Sequence, residues 1–121
     1  MMMTGTKMIF DEIIEFRKDQ KKLAKKYRSL PDDLKEVRKI LTTRPDAKPP
    51  YSYRIEGLKI KSCMIKVRKI SCKSLKNRGV QSGLRLIYAY FKEESRIVFV
   101  ELYHKSEKSG EDRARILKYF K

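Results

Sequence analysis

Hydrophobic and polar positions alternate along two segments in the second half of the chain. Residues 63–70 and 83–90 both interleave lysine or arginine with large apolar residues. Successive side chains of a β-strand point to opposite faces, so such a strand buries one face and presents cations from the other. The pattern predicts one strand within residues 59–72 and another over residues 84–90. A further strand is predicted over residues 96–103, which have the highest β-propensity in the chain.

The first half of the chain has helical periodicity instead. Phe16, Leu23 and Tyr27 fall at positions i, i+7 and i+11, on one side of a helix whose remaining face is almost wholly basic. Residues 29–33 predict the start of a second helix, because proline fits the first turn and two aspartates favour the positive end of the helix dipole. Its apolar stripe consists of Leu34, Val37, Ile40 and Leu41. The two helices are expected to form an antiparallel pair across residues 28–30.

Shorter segments complete the order of elements. Residues 7–15 are predicted as the first strand and residues 112–120 as a short terminal helix, with loops or turns at residues 42–53, 71–82, 92–95 and 106–112. The resulting order, β-α-α-β-β-β-α, predicts an α+β fold in which two N-terminal helices pack on one face of a small antiparallel or mixed sheet. The length of 121 residues predicts a single domain over residues 1–121, with a disordered N-terminus at residues 1–6.

The charge of the chain suggests what this sheet binds. Lysine and arginine number 31 against 15 aspartates and glutamates, which gives a net charge of +16. Residues 57–92 contain ten lysines or arginines and not one acidic residue. A rigid sheet that displays cations without counter-anions is a surface for a polyanion, and phosphate backbones are the commonest polyanion in a cell. A merely solvated basic surface is the alternative interpretation.

Other functional classes lack their sequence signals. The chain has no apolar run near 18 residues, no secretory leader and no lipidation signal. We therefore expect a cytoplasmic protein without a membrane partner. Cys63 and Cys72 stand nine positions apart with no neighbouring histidine, so neither a zinc site nor any other metal or cofactor is expected.

The order of elements, together with three stretches of sequence, resembles the RelE/ParE superfamily of bacterial and archaeal toxins from toxin–antitoxin pairs. The stretches are the opening strand with FRKDQKKLAKKY, IKVRKI followed by SGLRLIYAY, and IVFVELYHKSEKSGEDRARI. The ELYHK end is similar to the HigB-like branch, whereas the connection at residues 71–82 is longer than in compact members. The resemblance covers about residues 9–118 and implies a RelE-like fold with ribosome-dependent messenger-RNA endonuclease activity. It also implies three partners: the ribosome, messenger RNA, and an acidic, partly disordered antitoxin.

The resemblance further implies which residues act. Lys66 and Arg68 match the paired basic residues on the second strand, and Arg85 matches the strand-three arginine near the scissile phosphate. Residues 103–105 match the place where HigB-like and YoeB-like members put a terminal tyrosine or histidine. The catalytic candidates are thus Lys66, Arg85, Tyr103 and His104, and the RNA-binding candidates are Arg68, Lys69, Lys73, Lys76, Arg78 and Lys105.

The reaction implied is attack of an RNA 2′-hydroxyl on the adjacent phosphorus, which needs no metal. Arg85 suits charge stabilisation, because its planar fork matches two phosphate oxygens. His104 is the only histidine, and imidazole exchanges protons near neutral pH. The alternatives are a surface strand arginine and a strand-end histidine with a satisfied hydrogen bond. Tyr103 and His104 are consecutive, so we expect only one of them to line the site.

Two other functions remain open on the same residues. One is a ParE-like poison of DNA gyrase, which cuts no RNA itself. The other is a non-enzymatic RNA- or ribosome-binding module. The acid-free basic sheet and the Tyr-His-Lys run favour the endonuclease, whereas a histidine packed against the core favours the binding module.

Overall fold

The computed structural model describes residues 7–75 and 78–121, so the expected disorder of residues 1–6 lies outside the described residues. Within them the chain is an α+β fold with a five-stranded mixed sheet and three α-helices, which confirms the predicted fold class. The strands are β1 (Ile9–Glu12), β2 (Ser52–Arg54), β3 (Cys63–Val67), β4 (Leu84–Phe91) and β5 (Arg96–His104). The helices are α1 (Ile14–Lys26), α2 (Leu30–Thr43) and α3 (Arg113–Phe120), and a short 3-10 turn, Lys92–Glu94, joins β4 to β5.

The strands lie in the order β1-β5-β4-β3-β2. β1 runs parallel to β5, and every other neighbouring pair is antiparallel. The register between β4 and β5 shifts between Ile87 and Tyr88, which leaves one extra residue, Val100, on β5. Such a bulge reverses the alternation of faces beyond it. It therefore decides which residues at the end of β5 share a face with Arg85.

Two hydrophobic clusters cover the two faces of the sheet. On one face, α1 and α2 bury Phe16 and Leu34 against strand residues such as Leu86 and Phe99, as the predicted helix pair requires. On the other face, Ile116 of α3 and the half-buried residues of the segment between β2 and β3 pack on the strands. α3 covers only part of this second face, and the part beyond it carries the basic residues.

One predicted loop contains a strand. Residues 42–53 were predicted as a loop, but Ser52–Arg54 form β2 at the edge of the sheet, so the observed order has one more strand than predicted. Ser52 is buried and pairs with Val67 of β3. Three residues that follow a proline pair are too few to show the alternation by which a strand is predicted. The strand predicted within residues 59–72 is confirmed and comprises Cys63–Val67, the residues that pair with β4.

No helix among residues 7–75 and 78–121 is both long enough and apolar enough to cross a membrane.

Candidate nucleic-acid interface

A cleft of about 300 Å³ opens beside β2, the end of β3 and the start of β4. We call it the basic cleft, and it is lined by Pro50, Tyr53, Arg68, Lys69, Val80, Gln81, Gly83, Arg85 and Lys105. Four of these residues are cations and none is acidic. None of the four cations forms an ion pair with a carboxylate in the described part of the chain. The cleft is therefore a concentration of uncompensated positive charge.

Arg85 is one of the four cations that line this cleft. β4 presents its half-buried side chain on the face opposite to α1 and α2, and its Nη1 donates to the backbone oxygens of Leu84 at 3.2 Å and Arg68 at 3.3 Å. Burial and the neighbouring Arg68 guanidinium lower the pKa of Arg85 from its ordinary value. Because arginine still stays protonated in proteins, Arg85 carries its positive charge in a partly buried site beside a like charge. A phosphate placed in the cleft would stabilise that charge.

Tyr103 lies directly across from Arg85. The two residues are cross-strand partners in the β4–β5 ladder, so both side chains are on the same face of the sheet. The tyrosine is buried, and the ammonium of Lys108 sits 5.0 Å from its ring centroid. Of the two consecutive residues at the end of β5, Tyr103 is thus the one that shares a face with Arg85.

His104 points to the opposite face. Its ring stacks on Tyr27 with centroids 5.9 Å apart, and its Nε2 lies 2.9 Å from the carbonyl oxygen of Ser82. A carbonyl only accepts, so Nε2 carries the proton and Nδ1 accepts from the backbone N–H of Ser106 at 3.1 Å. The Ser106 hydroxyl also lies 2.8 Å from Nδ1. Both ring nitrogens are occupied, so the structure separates His104 from Arg85 and engages it in local hydrogen bonds.

Gly83 makes that position of His104 sterically feasible. A Cβ on this residue would lie 2.6 Å from His104 Nε2, closer than a van der Waals contact allows. Its backbone also has φ +88°, a conformation that glycine adopts without strain. The Gly83 carbonyl accepts from Lys105 N–H at 2.8 Å, which holds Lys105 at the rim of the basic cleft.

Lys66 shares the face of Arg85 but has a carboxylate partner. Its Nζ lies 2.9 Å from Glu111, whose side chain is only 10% exposed. Burial raises the pKa of Glu111, but the hydrogen bond and charge of Lys66 outweigh burial and leave the pKa below its ordinary value. Arg113 also pairs with Glu111, at 3.1 Å. Residues 57–92 contain no acidic residue, but Glu111, which comes later in the chain, lies against Lys66 in the fold and neutralises its charge.

The remaining predicted RNA contacts divide into two groups. Arg68, Lys69 and Lys105 line the basic cleft. Lys73 and Arg78 are exposed on the connection between β3 and β4. Part of this connection is held against the first turn of α2, because Lys73 N–H donates to buried Asp33 at 3.3 Å. Lys76 lies outside the described residues.

Five lining residues were not predicted from the sequence: Pro50, Tyr53, Val80, Gln81 and Gly83. Tyr53 is 38% exposed and lies diagonally across from Arg68, whose guanidinium is 5.8 Å from the tyrosine ring centroid. Val80 is 47% exposed, and Pro50 also lines the cleft. Tyr53 lies in the segment predicted as a loop, and the three residues of β2 are too few to show the alternation that would have identified it.

The described residues were also compared with the side-chain arrangements that hold metal ions. Among the residues that the structure describes, no group of three or more histidine, cysteine, aspartate or glutamate side chains is arranged to hold a metal ion.

Comparison of the chain with family models, curated proteins and solved structures finds no match.

Proposed function

We propose that this chain is the toxin of a toxin–antitoxin pair, acts in the cytoplasm, and cleaves messenger RNA on the ribosome. The observation that carries the proposal is the basic cleft, which Arg85 and three further cations line without an acidic partner in the described part of the chain. RNA phosphates supply the missing negative charge, and an arginine fork binds them in a bidentate manner. The sequence resemblance to the RelE/ParE superfamily supplies the reaction class and the RelE-like topology.

The proposed reaction is a transesterification within the RNA. The 2′-oxygen forms a bond to the adjacent phosphorus, the 2′-proton leaves to a base, and the bond from phosphorus to the 5′-oxygen breaks as that oxygen takes up a proton. Arg85 stabilises the charge on the phosphoryl oxygens. Tyr103 is the proton-transfer candidate on the face of Arg85. His104, with both ring nitrogens engaged, holds the end of β5 in this scheme and transfers no proton.

The products of this reaction are diagnostic. The RNA fragments upstream of the cut should carry 2′,3′-cyclic phosphate or 3′-phosphate ends, because the 2′-oxygen is the nucleophile. Cleavage should also persist in a chelator once the ribosomes themselves are kept intact. Fragments with 3′-hydroxyl ends would instead indicate attack by an activated water molecule.

A second candidate function is RNA or ribosome binding without cleavage. Two observations favour it: His104 is engaged on the opposite face, and Lys66 is held in an ion pair with Glu111. Neither residue is therefore placed as a general base in the cleft. The basic cleft serves this function equally well, whereas poisoning of gyrase requires no such concentration of uncompensated cations.

Controlled expression followed by mapping of messenger 5′ ends separates the candidates. The endonuclease predicts arrested translation with new 5′ ends inside translated codons and unchanged DNA topology. Intact messengers with the protein bound to ribosomes would overturn cleavage in favour of the binding module. Intact messengers with gyrase-dependent DNA breaks would favour the gyrase poison.

The proposed antitoxin follows from the charge of the cleft as well as from the resemblance. An acidic, partly disordered segment that folds over Arg68 and Arg85 would compensate the charge that the chain leaves unpaired. Lys66 contributes less to this interface, since Glu111 already pairs with it. Association should be fast and should slow steeply between low and physiological ionic strength. A co-encoded protein that binds at a salt-independent rate and leaves Arg85 open would contradict this mode of neutralisation.

A further inference from the structure

The basic cleft is lined by two chemically different groups of residues. One group consists of the cations Arg68, Lys69, Arg85 and Lys105, and the other includes the largely apolar side chains of Pro50, Tyr53 and Val80. Tyr53 and Val80 are also among the few large apolar side chains that the described residues leave exposed. Exposed apolar groups beside a cationic cleft match the two parts of a nucleotide, whose base is flat and weakly hydrated and whose phosphate is anionic.

The position of Tyr53 is set by the sheet. It pairs with Lys66 across the β2–β3 ladder, and the ladder continues with Arg68 N–H donating to Tyr51 at 2.9 Å. Tyr53 and Arg68 are therefore diagonal neighbours on one face, which accounts for the 5.8 Å between the guanidinium and the ring. An aromatic ring on an edge strand loses little conformational entropy when a ligand stacks on it, because the strand already holds it in place.

From this arrangement we infer that Tyr53 is a base-stacking platform, and that the basic cleft binds a single-stranded nucleotide with its base against Tyr53 and its phosphate on Arg68 and Arg85. The inference rests on the proposed RNA binding and names its substrate class as unpaired RNA. A base inside a duplex is stacked on its neighbours and is not available to Tyr53. The cations alone would bind a polyanion of any kind, so Tyr53 is what distinguishes a nucleic acid from a simple polyphosphate.

The test compares Tyr53→Leu with Tyr53→Phe in the full chain. Leucine keeps an apolar side chain but removes the ring, whereas phenylalanine keeps the ring and removes only the hydroxyl. Affinities are measured by fluorescence anisotropy for a labelled single-stranded RNA decamer, and by competition for inorganic polyphosphate, which has no bases. Base–aromatic stacking predicts a loss of roughly 5- to 150-fold in affinity for the decamer with Tyr53→Leu. Tyr53→Phe should bind the decamer like the wild type, and polyphosphate affinity should be the same for all three proteins.

Tyr119→Leu is the matched control, because Tyr119 is similarly exposed, at 42%, but lies on α3 away from the basic cleft. It should leave decamer binding unchanged. A decamer carrying 2-aminopurine gives an independent readout, since stacking on tyrosine quenches its fluorescence. Quenching should occur with the wild type and Tyr53→Phe and should be lost with Tyr53→Leu.

The outcomes separate this inference from the function on which it rests. If the wild type binds neither the decamer nor polyphosphate, the proposed RNA binding fails. If the wild type binds the decamer and Tyr53→Leu binds it equally well, RNA binding stands and the stacking platform is wrong. Equal losses of decamer and polyphosphate affinity in Tyr53→Leu would likewise overturn the platform, because they would show that Tyr53 acts only by positioning Arg68.

Discussion

Two adjacent clefts on one face of the sheet are both lined by lysine and arginine. Only one of them also contains a carboxylate that pairs with these cations. The basic cleft holds four cations and no acid. Its neighbour, here called the paired cleft, is lined by Tyr53, Arg54, Ile55, Glu56, Lys66, Arg68, Glu111 and Arg113. In the paired cleft, Glu111 binds both Lys66 and Arg113, and Tyr53 and Arg68 form the ridge between the two clefts.

The difference between the clefts comes from the segment after β5. This segment brings Glu111 to Lys66, and beside it the buried Glu101 of β5 pairs with Lys108 and accepts from Asp112 N–H at 2.7 Å. These contacts fix α3 on the sheet. The same segment places no carboxylate side chain in the basic cleft. A cation on this sheet is therefore structural where the C-terminal segment supplies an acid, and available to a ligand where it does not.

Removal of Arg85 should have the largest effect. Arg85→Ala should lower the cleavage rate by about 10²- to 10³-fold while the fold is kept, because one lost charge-stabilising contact typically costs that much. Arg85→Lys should restore little, since a point charge cannot replace the planar fork. The measurement is single-turnover cleavage of ribosome-bound messenger.

The matched control for this variant lies in the paired cleft. Arg113→Ala removes an arginine that already pairs with Glu111, and it should leave the cleavage rate near that of the wild type. Wild-type cleavage by a folded Arg85→Ala protein would show that the two clefts do not differ in function.

Glu101 should contribute strongly to stability, in contrast to the basic cleft. Its side chain is 1% exposed, and Glu101→Ala leaves Lys108 and the Asp112 N–H without their partner. We expect the free energy of unfolding to fall by about 3 kcal/mol, at the low end for a broken buried pair because Lys108 can turn to solvent. Lys105→Ala in the basic cleft should change it by less than about 0.5 kcal/mol. Urea denaturation measures both, and equal losses would contradict the division into structural and available cations.

Conversion of the paired cleft into a basic one should have a smaller effect. Glu111→Gln releases Lys66 and Arg113 from their shared carboxylate, so RNA should bind more tightly. Each new phosphate contact should steepen the slope of log affinity against log salt by about 0.7 for a single strand. Glu36→Gln changes the net charge equally but lies on α2, so its slope should match the wild type. An unchanged slope for Glu111→Gln would mean that Lys66 stays out of reach of RNA.

Acid should reduce the difference in stability between the wild type and Glu111→Gln. The pKa of Glu111 is lower in the folded chain than its ordinary value. The ionised side chain therefore stabilises the fold fully at pH values above the ordinary pKa, and this stabilisation is lost as the pH falls through the folded pKa. We expect a difference of about 1 kcal/mol at pH 6 that shrinks towards pH 3, measured by urea denaturation. A difference that grows on acidification would indicate that Glu111 is protonated in the folded state at neutral pH.

Local patterns were sufficient for most of the fold. The helices came from apolar stripes such as Leu34, Val37 and Leu41, and the strands from alternation, because these periodicities depend only on near neighbours in the chain. β2 was missed since three residues show no period. The bulge at Val100 was also invisible, because an extra residue in one strand is defined only against its partner strand.

For the site, the sequence by itself determined which residues are cations and placed Lys66 and Arg85 on strands, whereas Arg68, also predicted on a strand, follows the end of β3 at Val67. It also determined that Tyr103 and His104 face opposite ways. Only the tertiary structure decided that Tyr103 shares the face of Arg85, that His104 is bound to Ser82, and that Glu111 neutralises Lys66. The physical reason is range: charge and alternation are properties of a segment, whereas the partner of a side chain is set by contacts between residues far apart in the chain. The availability of a cation to a ligand depends on such a partner, and that is why the cations of one acid-free stretch of sequence are divided between the basic cleft and the paired cleft.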